Sequence, residues 1–118
     1  MLTKIIEQLK KGKIKRVYPY GFKRDPGTPY IVVKPEKDPL LRGRVFKIII
    51  HFDPGQNILL EDYTRKDVPT LLNEFTTTTR NGNILRLERT EDYEDIIIGN
   101  DDGTIAMECS FLQPGMLF

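Results

Sequence analysis

Two stretches of strict alternation, Val45–Phe52 and Thr104–Leu112, constrain this chain most. In the first, Phe46, Ile48, Ile50 and Phe52 point one way, and Val45, Lys47, Ile49 and His51 the other. In the second, Ile105, Met107, Cys109 and Phe111 share a face opposite Thr104, Ala106, Glu108 and Ser110. Each pattern predicts a strand that buries its apolar set. Shorter β-rich runs accompany them. Ile14–Tyr18 ends at Pro19, and Tyr30–Lys34 ends at Pro35. Glu36–Arg42 reads as a loop. Thr76–Thr79 favours extended structure, Asn81-Gly82 signals a tight turn, and Ile84–Arg89 is a further strand. Residues 93–98 and 104–112 predict a hairpin around the Gly99–Gly103 turn.

Helical periods are few. Leu2, Ile5, Ile6 and Leu9 fall on one helix face, which predicts a helix over 2–11. Lys10 and Lys11 suit its negative end, and Gly12 suits its stop. Beyond Asp53-Pro54-Gly55, the apolar positions from Leu60 to Phe75 keep a helical period, with Pro69 inside it. That predicts one kinked helix over 57–75, or two short helices meeting near Asp67 as a cap. The order α-β-β-β-α-β-β-β lacks the alternation of βαβ crossovers. It predicts an α+β fold, a mostly antiparallel β-sheet with two helices packed on one face.

A length of 118 residues suits a single domain spanning 1–118. Apolar runs such as Ile48–Ile50 are far shorter than the roughly 20 residues a membrane span needs, so no membrane contact is expected. The N-terminal pattern is broken by Lys4, Glu7 and Gln8 and does not read as a signal peptide. The lone Cys109 forms no internal disulfide, so synthesis in a reducing cytoplasm without export is expected.

Charge is sorted along the chain. Residues 1–24 carry eight bases and one acid, a net +7, and residues 88–118 carry eight acids and one base, a net −7. A near-neutral total of +1 thus hides two opposite ends. The basic candidates for an interface are Lys10, Lys11, Lys13, Lys15, Arg16, Lys23 and Arg24. The acidic candidates are Glu91, Asp92, Glu94, Asp95, Asp101 and Asp102. Met116, Leu117 and Phe118 follow a Pro-Gly break as an apolar tip, which either folds back on the core or docks on a partner. Opposite patches steer ordered association.

Catalytic patterns are weak. His51 is the only histidine and has no second ligand or nucleophile beside it in sequence. Cys109 alternates with core-type residues and reads as a small buried hydrophobe. A hydrolase would have to pair Cys109 with His51. The run Asn100-Asp101-Asp102-Gly103 fails the calcium-loop spacing and reads as a turn. No Gly-rich phosphate loop is present. Neither an enzyme nor a cofactor or metal is expected. Lys10–Arg24, interleaved with Tyr18, Tyr20 and Phe22, also suits a small nucleic-acid-binding module.

Several phrases together resemble the tail-completion and tail-terminator proteins of long-tailed bacteriophages and prophages. They are the helix Leu2–Lys11, Val17-Tyr18-Pro19, Pro29–Val33, the strand Arg44–Phe52, the stretch Pro54–Phe75, and the closing strands from Ile84 to Phe111. The resemblance implies a non-enzymatic structural protein of the virion, made in the bacterial host cytoplasm. It implies a homo-oligomeric ring, often six-fold, at the head–tail neck. That ring would cap the tail tube and meet tail-tube and head-connector proteins. Separately, the basic patch suits the lining of a channel through which DNA passes, a use of the same lysines that competes with contact to a neighbouring copy. The charge split fits a ring, because head-to-tail contacts bring two different patches together.

Overall fold

The computed structural model describes all residues except 23–26, 74, 79–80, 83, 91–92, 101–102 and 116–118, and omits the side chains of 57–59, 77 and 85. The elements run α1 (Leu2–Leu9), β1 (Val17–Pro19), β2 (Tyr30–Lys37), β3 (Gly43–Phe52), a 3-10 turn (Pro54–Gln56), α2 (Asn57–Asp62), a π-helical turn (Tyr63–Asp67) and α3 (Val68–Leu72). They close with β4 (Thr76–Thr78), β5 (Ile84–Arg86), β6 (Ile96–Gly99) and β7 (Ile105–Pro114). The fold is α+β. Five strands form one sheet in the order β1-β2-β3-β7-β6, and β4 pairs with β5 as a separate ribbon. Only β1 runs parallel to its neighbour; β2, β3, β7 and β6 are joined antiparallel.

The two alternating strands sit side by side at the centre. Phe46, Ile48 and Ile50 lie opposite Phe111, Cys109 and Met107. With Ile31 and Val33 of β2 they make the sheet half of the core. Ile5 and Leu9 of α1, Tyr63, and Val68 and Leu72 of α3 cover that face. Gln8 Nε2 donates to the Leu71 carbonyl at 2.9 Å and ties α1 to α3.

The region around Pro69 resolves as a widened turn between two short helices. The Val68 amide donates to the Tyr63 carbonyl five residues back. Pro69 has no amide to continue a regular ladder, and the π turn absorbs the mismatch just before it. Thr64 and Thr70 hydroxyls donate to the carbonyls of Leu60 and Lys66, at 2.8 and 2.7 Å. Asp67 does not cap α3: its backbone is helical and its side chain makes no cap bond.

Other boundaries differ from the sequence reading. Helix α1 stops at Leu9, and Lys10 and Lys11 lie in the turn beyond it. Strand β1 starts at Val17, three residues later than expected. Pro35 does not end β2, which runs on to Lys37. The Ile31 amide donates to Arg16 and the Val33 carbonyl accepts from Tyr20. Odd residues of β2 therefore turn their polar groups towards β1. Pro35 lies past the last β1 pairing, Pro19 with Val33, so its missing donor has no partner to disappoint. The Thr76 region forms a strand of its own, giving four closing strands instead of three.

The β2–β3 connection is braced. Asp38 accepts from the Arg42 Nε at 2.6 Å, the Arg42 Nη2 at 3.1 Å and the Tyr93 hydroxyl at 2.8 Å. The Arg42 hydrogen bonds, with a smaller one from Tyr93, hold the Asp38 carboxyl well below its usual range despite burial. Beyond this brace Leu40 and Leu41 project into solvent, and Leu41 holds φ at 56°.

Candidate assembly surfaces

Helices cover one face of the sheet and leave the other partly open: Lys34, Lys47, Ile49 and His51 are half-buried there, whereas Val45, Ala106, Glu108, Ser110 and Leu112 are buried. Across the middle of the open face runs a charged row. Lys34 and Lys47 are direct cross-strand partners, a repulsive placement on its own. Glu36 relieves it, 3.2 Å from each lysine, and Lys47 also reaches Glu108 at 3.3 Å. Burial raises the pKa of Glu36, but hydrogen bonds and charge from Lys34 and Lys47 outweigh it and set the group below its ordinary value. Burial likewise works against the Lys47 cation, and Glu36 and Glu108 overcome it to hold that pKa above normal.

Towards the Tyr30 end the open face turns apolar. Tyr30 stacks on His51 with centroids 4.6 Å apart, and Tyr18 stacks on Phe22 at 4.0 Å. A shallow depression of about 450 Å³ lies there, lined by Tyr20, Tyr30, Val32, Ile49, His51 and Ile98 among others.

His51 and Cys109 stand on opposite faces of the sheet. His51 lies beside Ala106 on the open face, and Cys109 faces the core beside Ile48. The Cys109 thiol is fully buried, and burial pushes its pKa up to about 12. The Cys109–His51 pairing that a hydrolase would need does not form. Among the described residues, no group of three His, Cys, Asp or Glu side chains gathers where it could hold a metal ion. Among them, too, no helix is long and apolar enough to cross a membrane.

The charged segments enter the sheet at its two edges. Lys15 and Arg16 lead directly into β1, the first edge strand. Lys10 and Lys11 lie in the turn after α1, and Lys13 sits 3.6 Å from Asp67. Lys13, Lys15 and Arg16 line a depression of about 390 Å³ with Thr28 and Pro29. Among the described residues, Lys10, Lys11 and Lys15 have no acidic partner. Glu94 and Asp95 lead directly into β6, the other edge strand. Asp95 pairs with Arg89 at 2.8 Å, whereas Glu94 has no basic partner among the described residues. Four strand spacings separate the edges, roughly 19 Å. Lys23, Arg24, Glu91, Asp92, Asp101, Asp102, Met116, Leu117 and Phe118 lie outside the described residues.

Three exposed apolar features escaped the sequence reading. They are Ile96–Ile98 on β6, Ile84 on β5, and Leu40-Leu41. A signal existed for the first: three consecutive β-branched residues break the alternation of a half-buried strand. Compared with known proteins, the chain matches no family model and no curated protein.

Proposed function

We propose that this chain is a structural protein of the phage or prophage head–tail neck. It assembles into a ring that caps the tail tube and joins it to the head. One observation carries the reading beyond the resemblance in sequence: Lys15 and Arg16 lead into one edge strand of the sheet, and Glu94 and Asp95 lead into the other. A ring built from head-to-tail contacts requires two different, complementary patches on opposite flanks of each copy. Opposite charges on those flanks attract neighbours and penalise contacts of like edges.

Native mass measured over a concentration series tests the reading, with salt as the second variable. A single closed oligomer is expected. It should loosen as salt shortens the screening length from about 10 Å at 0.1 M to about 3 Å at 1 M. The fold should survive that change, since its core is apolar. A chain that stays monomeric at every concentration, and also with tail-tube or connector proteins added, overturns the reading.

The depression lined by Lys13, Lys15 and Arg16 favours a second reading, contact with a nucleic-acid backbone. Retention on DNA that falls steeply with salt would support it, and no retention at low salt removes it.

A further inference from the structure

The two edges of the main sheet are finished differently. At the first edge, Arg16 and Tyr20 turn their backbone groups towards β2, so Val17 and Pro19 turn theirs outward. The outward position of Pro19 carries no donor, and β1 has only three residues. Short edge strands with an outward proline resist the addition of another strand. The second edge strand, β6, is also short at four residues but has no outward proline. The Asn100 amide donates to the Thr104 carbonyl across the β6–β7 turn. Counting back through the register, Ile98 and Ile96 face β7, and Ile97 and Gly99 present amide and carbonyl outward. Among the described residues no strand takes them up. Ile97 is 63% exposed, and Ile96 and Ile98 are exposed beside it. An unguarded apolar edge of this kind is a template for a strand from another chain.

We infer that the free edge of β6 is a strand-acceptor site, filled by the β4–β5 ribbon of a second copy. This rests on the ring reading above and names the elements that meet. The strands of the ribbon pair with each other; its base is held to its own subunit by the Glu88–Leu112 bridge to β7 and by Leu87 in the core, and its tip reaches beyond that anchor. Its Ile84 is 72% exposed, the most exposed of the large apolar side chains among the described residues. Charge completes the match. Residues 75–87 carry Arg80 and Arg86 and no acid, although Arg86 lies 3.8 Å from Glu88; 91–102 carry six acids and no base, with Asp95 held by Arg89. Pairing β6 with β6 of another copy would instead bring two such acidic segments together, which like-charge repulsion opposes. The lysines near β1 act at longer range, attracting the acidic flank before the ribbon makes contact.

Single-cysteine variants of the full chain test the pairing, with buried Cys109 left in place and the parent chain as control. Ile97→Cys is mixed with Thr78→Cys under mild oxidation. A disulfide-linked pair should form in the mixture and in neither variant alone. Self-linking of Ile97→Cys overturns the proposal in favour of β6–β6 pairing. An oligomer by native mass with no link in the mixture also overturns it, while leaving the ring reading intact. A parent chain that is monomeric under all conditions removes both. Ile97→Pro gives a separate readout, because the amide it deletes points away from β7. Assembly should weaken by at least about tenfold, with thermal unfolding of the subunit little changed and Ile97→Val assembling normally. Undiminished assembly of folded Ile97→Pro refutes the pairing; if that variant does not fold, the cross-link decides.

Discussion

Lys47→Met isolates the charged row on the open face. The substitution keeps the length of the side chain and removes the cation shared by Glu36 and Glu108. Glu108 has 11% of its side-chain surface exposed, Lys47 27% and Glu36 33%. Fully exposed pairs are worth about 0.2–1 kcal/mol, whereas stripping one partner from a buried pair costs about 3–5 kcal/mol. The more buried Lys47–Glu108 pair falls between these limits, so a double-mutant cycle with Glu108→Gln should give a coupling of about 1–2 kcal/mol. The cycle with Glu36→Gln should give less, about 0.5–1 kcal/mol, since water screens that carboxylate better. Urea unfolding resolves both, because m-values of about 1–3 kcal/mol/M turn such changes into midpoint shifts of several tenths molar or more. The pH dependence has a fixed sign. The folded pKa of Glu36 lies below its unfolded value, so its contribution is present above about pH 4.3 and disappears as pH falls through the folded pKa. The pKa of Lys47 is raised, so its contribution is complete below about pH 10.4 and fades as pH rises through the folded pKa. A neutral or stabilising Lys47→Met, or a larger coupling to Glu36 than to Glu108, refutes this reasoning.

Two other substitutions or reagents probe the framework. A Cβ at Gly43 would run into the carbonyl oxygen and carbon of Gln113 and the Cα of Pro114, all backbone atoms that cannot swing aside. Gly43→Ala should therefore cost about 1–3 kcal/mol and lower the Tm by roughly 5–15 °C; an unchanged Tm would contradict the close β3–β7 approach. Iodoacetamide should label native Cys109 at least about a thousandfold more slowly than the urea-unfolded chain, because the buried thiol reacts only on opening. Prompt stoichiometric labelling of the folded chain would show that the core face of β7 is accessible.

The parts of the fold legible in the sequence are those with a local cause. Alternation alone marks β3 and β7 and picks out the set of each that joins the main core, since side-chain direction in a strand needs no knowledge of its partner; that Ala106, Glu108 and Ser110 on the other face of β7 are buried as well is not legible. Asn81-Gly82 marks the ribbon turn for the same reason, and Gly82 has a φ of 82°. What failed depends on neighbours. Whether Pro35 stops a strand depends on which way its nitrogen points and whether β1 extends that far. The Asp38–Tyr93 bond joins residues 55 apart, and no local pattern announces it. The candidate surfaces divide the same way. The charge runs are visible as letters, but that Lys15 and Arg16 enter one edge strand and Glu94 and Asp95 the other follows from the strand order β1-β2-β3-β7-β6.

That strand order also limits what the chain can build. A sheet with two open edges grows by edge addition into a fibre, because each added copy exposes a fresh edge like the one it covered. Here Pro19 closes one edge and Ile97 leaves the other open. Pairing of open edges with each other would stop at two copies, and the acids beside β6 oppose even that. Propagation beyond a pair needs a second, different element to fill the open edge. The β4–β5 ribbon, anchored at its base by the Glu88–Leu112 bridge and exposing Ile84 and Arg86 beyond it, would supply one. Each copy then gives one ribbon and accepts one, and a chain of such contacts either spirals or closes. A ring is the outcome in which the rotation per contact divides a full turn, so none of the unguarded edges is left exposed.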